Sequence, residues 1–419
     1  MIKRNIVAAA AFFILATGLG VFSTNIFLSL KRIPAGEAKL QLGQETIAPN
    51  EEADFTDFMM RINSVQMKNA KETGGGVVHR GFHAKTHACV RGELRISSDA
   101  EINAGLARAN QLLQAQKSMI KRMTSIFASV PDSALTDIGV TSVQAFRSGV
   151  FSEGEKSFPL WVRYSNASGA IQSDEKSDAR GMAVKVMSVP GKKFLKDRES
   201  DTTQDFLMTN KPRGTTDDAR SFMEFAEATS PGGNLPEFFL KHPELNKFKE
   251  IVIITKVSKQ KGDSLLNKQY WSGVPILLGE RAIKFNVTPC KKLPENKNLE
   301  KSESRFKQDL TAQLTQADVC FDFNIQFQVD PVKTPIEHAL TEWKESDTPS
   351  IKVGQIVLKK LSEGQELSSD DHACEGLAFN PWHALLEHRP LGNMNRARLY
   401  VYKASQAGRH ADPAEPSGY

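Results

Sequence analysis

Three stretches in the second half of the chain alternate apolar and polar residues, and this pattern most constrains the fold. They read "IKFNVTP", "CFDFNIQFQVD" and "KVGQIVLKKLS", and each is bounded by Pro, Gly or Asp. A period of two places every second side chain on one face of a strand. Many antiparallel strands in a chain of 419 residues indicate a closed barrel or a sandwich. We predict an α+β fold, in which an antiparallel β-barrel carries packed helices.

Helical periodicity appears in two earlier regions. Phe55, Phe58, Met59, Ile62 and Val65 recur at helical spacing, and residues 100–128 read as one long helix. The run "TGGGVV" then interrupts the first pattern. We therefore predict a tether and short helix over 33–72 and one folded domain over 73–419.

The N-terminus reads as a membrane segment. Residues 6–30, "IVAAAAFFILATGLGVFSTNIFLSL", contain no charge and lie between Lys3 and Arg4 on one side and Lys31 and Arg32 on the other. Twenty-five residues rise about 37 Å as a helix, enough to cross a bilayer. Residues 1–32 are thus predicted to be a membrane anchor, with a cleaved signal sequence as the alternative. Either reading places the main domain outside the cytoplasm, on the periplasmic side.

Charge and cysteine content exclude several classes of protein. The formal net charge is only +5, and the basic residues are scattered without an aromatic platform, which excludes a nucleic-acid partner. None of the four cysteines forms a C-x-x-C pair, so a zinc knuckle is not expected. Mostly free, buried thiols are predicted instead.

Three of the nine histidines cluster in "HRGFHAKTHA". His79, His83 and His87 sit four apart, so a helix or a strand would place them on one face. A three-histidine metal site, histidines held at the start of a strand, and one catalytic histidine with two neighbours are the alternatives.

The last predicted helix offers a candidate metal ligand. Arg398 and Tyr402 are four apart, and Arg409 follows two turns later. A guanidinium group one turn from a phenol favours the phenolate, a hard anionic donor suited to ferric iron. The alternative is a basic surface helix with an amphipathic tyrosine.

Together these stretches resemble a known family. "RGFHAKTHA", "WVRYSNASG", "DARGMAVKV", "TQDFLMTN" and "NRARLYVY" occur in the order found in haem catalases, over residues 76–411. The closest resemblance is to the compact bacterial catalase-like proteins, the catalase-related peroxidases. It implies a catalase-like barrel that binds haem b and reacts with peroxide.

The resemblance assigns roles residue by residue. It implies that His83 moves the peroxide proton and that Ser165 hydrogen-bonds this histidine from behind. Tyr402 would be the proximal ligand of the haem iron, kept ionised by Arg398. The arginines that would pair with the haem propionates are Arg80, Arg163 and Arg409.

Two departures from the family qualify these expectations. Catalases carry a distal asparagine just before T-P-x-F-F, and "DTTQDFL" places Thr202 there, which predicts weak oxygen evolution. Only 17 residues follow Tyr402, so a C-terminal helical domain with bound nicotinamide nucleotide is not expected.

The expected function is a haem-dependent peroxidase or catalase-like enzyme. It would act on hydrogen peroxide or organic hydroperoxides and draw electrons from an unidentified donor. The alternatives are a haem enzyme that isomerises fatty acid hydroperoxides and a non-catalytic haem or lipid carrier.

Overall fold

Nine strands and six α-helices make up the part of the chain that a computed structural model describes, residues 42–72, 75–124, 140–243, 264–294, 302–362, 367 and 375–411. The strands are β1 (Thr86–Ile96), β2 (Ser157–Asn166), β3 (Arg180–Val186), β4 (Gln204–Thr209), β5 (Tyr270–Trp271), β6 (Ile276–Leu278), β7 (Arg281–Pro289), β8 (Val319–Phe327) and β9 (Ile351–Leu358). The helices are α1 (Glu51–Glu72), α2 (Asp99–Thr124), α3 (Ala219–Thr229), α4 (Leu235–Lys241), α5 (Arg305–Leu314) and α6 (Asn393–Gly408).

The strands close into a barrel. Their order is β5-β4-β3-β2-β1-β9-β8-β7-β6, and β5 also pairs with β7. Eight strands therefore form the ring, and β6 pairs with β7 outside it. Every strand pairing among the described residues is antiparallel. The predicted barrel is confirmed over the sandwich.

Aromatic side chains fill the barrel interior. Phe206, Phe285 and Phe323 form a mutual cluster with ring centroids 5.1–5.6 Å apart. All three are almost fully buried, and each contributes about 1.5–3 kcal/mol by leaving water. Because the interior is a packed core, polar chemistry must lie on the outer face of the wall or at its ends.

Helix α1 packs against α6 on the outside of the barrel. Phe55, Phe58, Ile62 and Val65 are buried, as their spacing predicts, and they join one apolar cluster with Met394 and Ala397 of α6. The helix is longer than predicted, because acidic residues at its start and Lys71 in its last turn suit the helix dipole. The helix belongs to a compact unit that begins at Leu42.

Arg396 of α6 joins three separate parts of the chain. Its guanidinium group donates to the carboxylates of Glu45 at 2.6 Å, Glu51 at 2.6 Å and Glu337 at 3.2 Å. Side-chain hydrogen bonds to Glu51 and Glu337 outweigh burial and raise the pKa of Arg396 above its ordinary value. The stretch before α1 is thereby fastened to the last helix.

A buried ion pair attaches the segment before α6 to the barrel. Lys185 of β3 and Asp205 of β4 are both fully buried, with Nζ 2.6 Å from Oδ1. The backbone nitrogen of Asn380 donates to the second Asp205 oxygen at 2.8 Å. The chain after residue 375 thus runs along the outer face of β3 and β4.

The prediction of free thiols is wrong. Cys290 and Cys320 form a disulfide with Cα atoms 5.6 Å apart, and Cys89 is also disulfide-bonded. Strands β7 and β8 pair Pro289 with Phe321, which brings Cys290 beside Cys320. The two cysteines are 30 residues apart in the sequence, and this spacing alone does not predict that they pair.

The predicted membrane segment, residues 6–30, and the tether before residue 42 lie outside the described residues. Within the described ranges, no helix combines the length and the apolar character that crossing a bilayer requires.

Candidate active site

His83 lies at one end of the barrel, just before β1. Its φ of 56° is in the left-handed region, which is uncommon for a residue other than glycine and typical of strained functional positions. Two backbone hydrogen bonds to the loop after β2 hold it there, from His83 to Ala167 and from Ala84 to Ser168, both 3.1 Å. His83 is thus firmly held at the start of β1.

Ser165 holds the His83 ring. Its Oγ lies 3.1 Å from Nδ1 of His83, because the β1–β2 register pairs Thr86 with Ser165. Tyr164 points into the core, so Ser165 lies on the outer face of β2. Since Nδ1 is engaged, Nε2 is the nitrogen left to meet a substrate.

Gly181 makes room for this pair. It stands opposite Ser165 in the β2–β3 register. A Cβ atom there would lie 2.5 Å from Nδ1 of His83 and 2.7 Å from Oγ of Ser165. The glycine of "DARG" is therefore required by close approach.

His83 is a neutral base. Burial and then the charge of Arg163 lower its pKa to about 3, and Arg398 and Lys211 act in the same direction. Part of its surface stays accessible. At neutral pH the imidazole can accept a proton from a bound molecule and return it.

The three arginines predicted from the resemblance converge on Glu375. Arg80 donates from Nη1 to the Glu375 carboxylate at 2.6 Å and from Nη2 to the Leu377 carbonyl at 3.0 Å. Arg163 donates from Nε to the same carboxylate at 3.4 Å. Arg409 donates to the Glu375 and Leu377 carbonyls at 2.7 and 3.2 Å. Sequence reasoning missed Glu375, since a lone glutamate before "GLAFNPW" carries no signal.

The cluster of three arginines and Glu375 carries more positive than negative charge. Burial and repulsion from Arg80 lower the pKa of both Arg163 and Arg409. Burial alone would raise the pKa of Glu375, but Arg163 and Arg80 together lower it to about 2. Nε of Arg409 is buried and has no hydrogen-bond partner among the described residues. The cluster can accept another anionic group.

Helix α6 carries the candidate iron ligand. Tyr402 is half-buried. Tyr400, the other tyrosine of the helix, packs on Phe55 at 5.6 Å and donates to Glu52 at 3.3 Å. At about 100° per residue the two rings point to roughly opposite sides. Tyr402 is therefore the phenol that faces away from α1.

Arg398 lies one turn before Tyr402, and its Nη1 donates to Oδ1 of Asn395 at 3.2 Å. Its positive charge is one of those that lower the pKa of His83. The charge of Arg398, on the last helix, therefore acts on the imidazole of His83, which lies before β1.

Thr202 does not occupy the distal position predicted for it. It is exposed and precedes β4, whereas the β3–β4 register places Thr209, at the other end of β4, opposite Gly181. Seven residues of extended chain separate the two threonines, about 23 Å at ~3.3 Å per residue.

Asn210 lies at the end of β4 that pairs with Gly181, the glycine next to His83 and Ser165. It follows Thr209 directly, and its buried side chain accepts from the Arg180 backbone nitrogen at 2.7 Å. Its own backbone nitrogen donates to the Arg180 carbonyl at 2.9 Å. Because Oδ1 is committed to the strand, Nδ2 is the end of the carboxamide that can meet a ligand.

The three-histidine metal site is wrong. His87 is buried beside Asp174 at 3.3 Å and packs on Phe306, and the His79 carbonyl accepts from Gln66. In the ranges that the structure covers, no group of three or more His, Cys, Asp or Glu side chains could hold a metal ion. Histidines held at the start of a strand, and one catalytic histidine with two neighbours, stay as the alternatives.

A closed eight-stranded antiparallel barrel with outer helices and a histidine–serine pair at one end is a catalase-like fold. A fungal catalase matches with a TM-score of 0.53 at 16% identity, over 80% of this chain and 60% of its own. A bacterial catalase gives 0.54 at 14%, over 82% and 61%, and catalase A from Saccharomyces cerevisiae gives 0.53 at 16%, over 80% and 61%. No protein-family model and no curated protein matches the sequence. The chain thus spans about 60% of the length of these catalases, and similarity at this identity shows the fold alone.

Proposed function

We propose that this protein is a haem-dependent enzyme that reduces hydrogen peroxide or organic hydroperoxides, with peroxidase and catalase activity. The observation that carries the proposal is the neutral His83, whose ring is held by Ser165. A haem or lipid carrier needs no base that transfers protons. In this protein, Ser165 holds the neutral imidazole of His83 in the orientation that such a base requires.

The residues fit haem b as the cofactor. Its two carboxylates would be bound by Arg80, Arg163 and Arg409. Nε of Arg409 is a buried donor without a hydrogen-bond partner among the described residues, and a haem carboxylate would supply the acceptor. Tyr402 would supply the proximal oxygen ligand from the side of α6 that faces away from α1. When bound, the haem iron supplies the electrons that O–O cleavage requires.

The protein's own part in the reaction is proton transfer and orientation. Neutral His83 accepts the hydroperoxide proton at Nε2 and returns it to the leaving oxygen, so that water or an alcohol departs. Ser165 keeps the ring in the orientation that this transfer needs. Asn210 offers an amide N–H to the peroxide oxygens.

Asn210 changes the expected balance of activities. Weak oxygen evolution is predicted only if a short hydroxyl, at Thr202, replaces the distal carboxamide. Asn210 lies at the His83 end of β4, and its carboxamide would offer a second peroxide a directional hydrogen-bond donor. We therefore propose that oxygen evolution accompanies peroxidase turnover.

We also propose that residues 6–30 hold the protein on a membrane, with the enzyme domain outside the cytoplasm. The support is the uncharged 25-residue run between basic flanks. Fractionation tests it: detergent should be needed to release the full chain, and a chain starting at residue 42 should stay in solution. Full-length protein in the soluble fraction with an N-terminus beyond residue 20 would favour a cleaved signal sequence.

The test of function compares wild type with His83→Gln, using His410→Gln as the matched control on an exposed histidine. Each protein is loaded with haem, and oxygen release and donor oxidation are measured with hydrogen peroxide and with a fatty acid hydroperoxide. We expect His83→Gln to lose about 10²- to 10⁴-fold in both rates and His410→Gln to lose none. Unchanged rates in His83→Gln would contradict the proposal, and conversion of the fatty acid hydroperoxide without donor oxidation would favour the isomerase alternative.

A further inference from the structure

Glu375 is the only carboxylate that the described residues bring into the arginine cluster. Arg80 binds one of its oxygens and Arg163 the other. The hydroxyl of Thr86 donates to the same oxygen as Arg163. Glu375 is thus a half-buried carboxylate held by the side chains that would receive the cofactor.

The charges of the cluster do not balance. Three guanidinium groups and one carboxylate leave a net charge of about +2, since arginine stays protonated in proteins. Two further carboxylates would neutralise it, and haem b carries two. In electrostatic terms the cluster suits a dicarboxylate.

The hydrogen-bond donors, however, are partly committed. Both Nη atoms of Arg80 are in use, one by the Glu375 carboxylate and one by the Leu377 carbonyl. Nε of Arg163 also points to Glu375. A bidentate arginine–carboxylate pair needs two parallel N–H donors, so an incoming carboxylate meets donors that Glu375 already uses.

From this geometry we propose that Glu375 competes with a haem carboxylate for Arg80 and Arg163 and so sets the affinity for haem. The inference rests on the proposed function, because it takes haem as the ligand. Glu375 is a positioning residue, which acts on the cofactor through the arginines.

Backbone carbonyls would keep Arg80 and Arg409 in place when the Glu375 carboxylate is displaced or removed. The carbonyls of Glu375 and Leu377 accept from Arg409, and the Leu377 carbonyl also accepts from Arg80. These three bonds do not depend on the side chain at position 375. Glu375→Gln should therefore remove the negative charge of the Glu375 side chain and leave the arginine cluster assembled.

Haem titration of wild type, Glu375→Gln and Glu375→Ala, followed by absorbance, tests the competition. We expect both variants to bind haem roughly tenfold more tightly, the scale of one close charge interaction. Haem dimethyl ester has no free carboxylate, and its affinity should be the same for all three proteins. Glu227→Gln, which removes the partner of Arg61 at 2.7 Å, is the control and should change neither affinity.

Thermal unfolding without haem supplies a second readout. Removing the one counter-charge among three guanidinium groups should lower the melting temperature of Glu375→Gln, while its haem affinity rises. A merely structural role would lower both.

Haem binding by wild type with equal or weaker binding by both Glu375 variants would overturn the competition. An equal gain with the dimethyl ester would overturn it too, because carboxylates would not be the competing groups. Failure of wild type and of both variants to bind haem would instead overturn the proposed function, and this inference with it.

Discussion

Oγ of Ser165 and Nδ1 of His83 lie 3.1 Å apart, and this contact joins the end of β2 to the loop before β1. It leaves one imidazole nitrogen for a substrate and commits the other to the protein. A buried imidazole without such a partner would be free to rotate. The contact therefore decides whether His83 acts as an oriented base.

Ser165→Ala should slow peroxide turnover by about tenfold, which is less than the 10²- to 10⁴-fold that a placed histidine contributes, because the base itself is kept. The variant keeps the histidine but loses its orientation, so haem content and the iron spectrum should stay as in wild type. Steady-state rates at saturating peroxide measure this. Ser157→Ala, at the opposite end of the same strand, is the control, and equal rates in the two variants would contradict the role of Ser165.

Asn210→Ala should reduce oxygen evolution more than donor oxidation, because only the former needs a second peroxide held in line. Thr202→Ala and Thr202→Asn should leave both rates unchanged, since Thr202 is exposed at the far end of β4. Paired rates for the three variants are the measurement. An effect of Thr202→Asn on oxygen evolution would show that the register argument is wrong.

Tyr402→Phe should abolish the ferric spectrum of a tyrosinate-ligated haem, since phenylalanine offers no donor atom. Tyr400→Phe should leave the spectrum unchanged, because that ring packs on Phe55 and its hydroxyl faces Glu52. Absorption spectra of the two reconstituted variants distinguish these positions. A spectral change confined to Tyr400→Phe would assign the ligand there.

His83 should make the protein less stable in acid. Its pKa is about 3 in the folded chain and 6.5 by the reference value. Below pH 6.5 the unfolded chain therefore binds more protons at this residue, and the free energy of unfolding falls by about 1.4 kcal/mol per pH unit. The loss ends near pH 3. Urea denaturation at pH 4, 5, 6 and 7 should show a shallower slope for His83→Gln than for wild type, and parallel slopes would contradict the shift.

The sequence predicted those features that follow from short-range periodicity. Alternation located β7, β8 and β9, and helical spacing identified the buried face of α1. The motif around His83 and the one around Ser165 placed the central pair correctly, because a single strand pairing joins them.

What the sequence did not reveal depends on contacts between distant segments. Glu375 meets Arg80 across 295 residues, and no local pattern marks it. The Cys290–Cys320 bond depends on which strands become neighbours. The distal position was misassigned because "DTTQDFL" was aligned by its position after β3. The β3–β4 register instead places Asn210, and not Thr202, at the His83 end of β4.

The three carboxylates around Arg396 have a practical consequence for anyone who shortens this protein. Glu45 precedes α1, and Thr46 and Gly43 donate backbone hydrogen bonds to Glu337 at 2.9 Å and Gln328 at 2.6 Å. A chain cut at residue 50 would lose these links and one of the carboxylates that hold α6, the helix of Tyr402. The smallest fragment with an intact proximal helix should therefore begin at or before Leu42, even though its nine leading residues belong to no helix or strand.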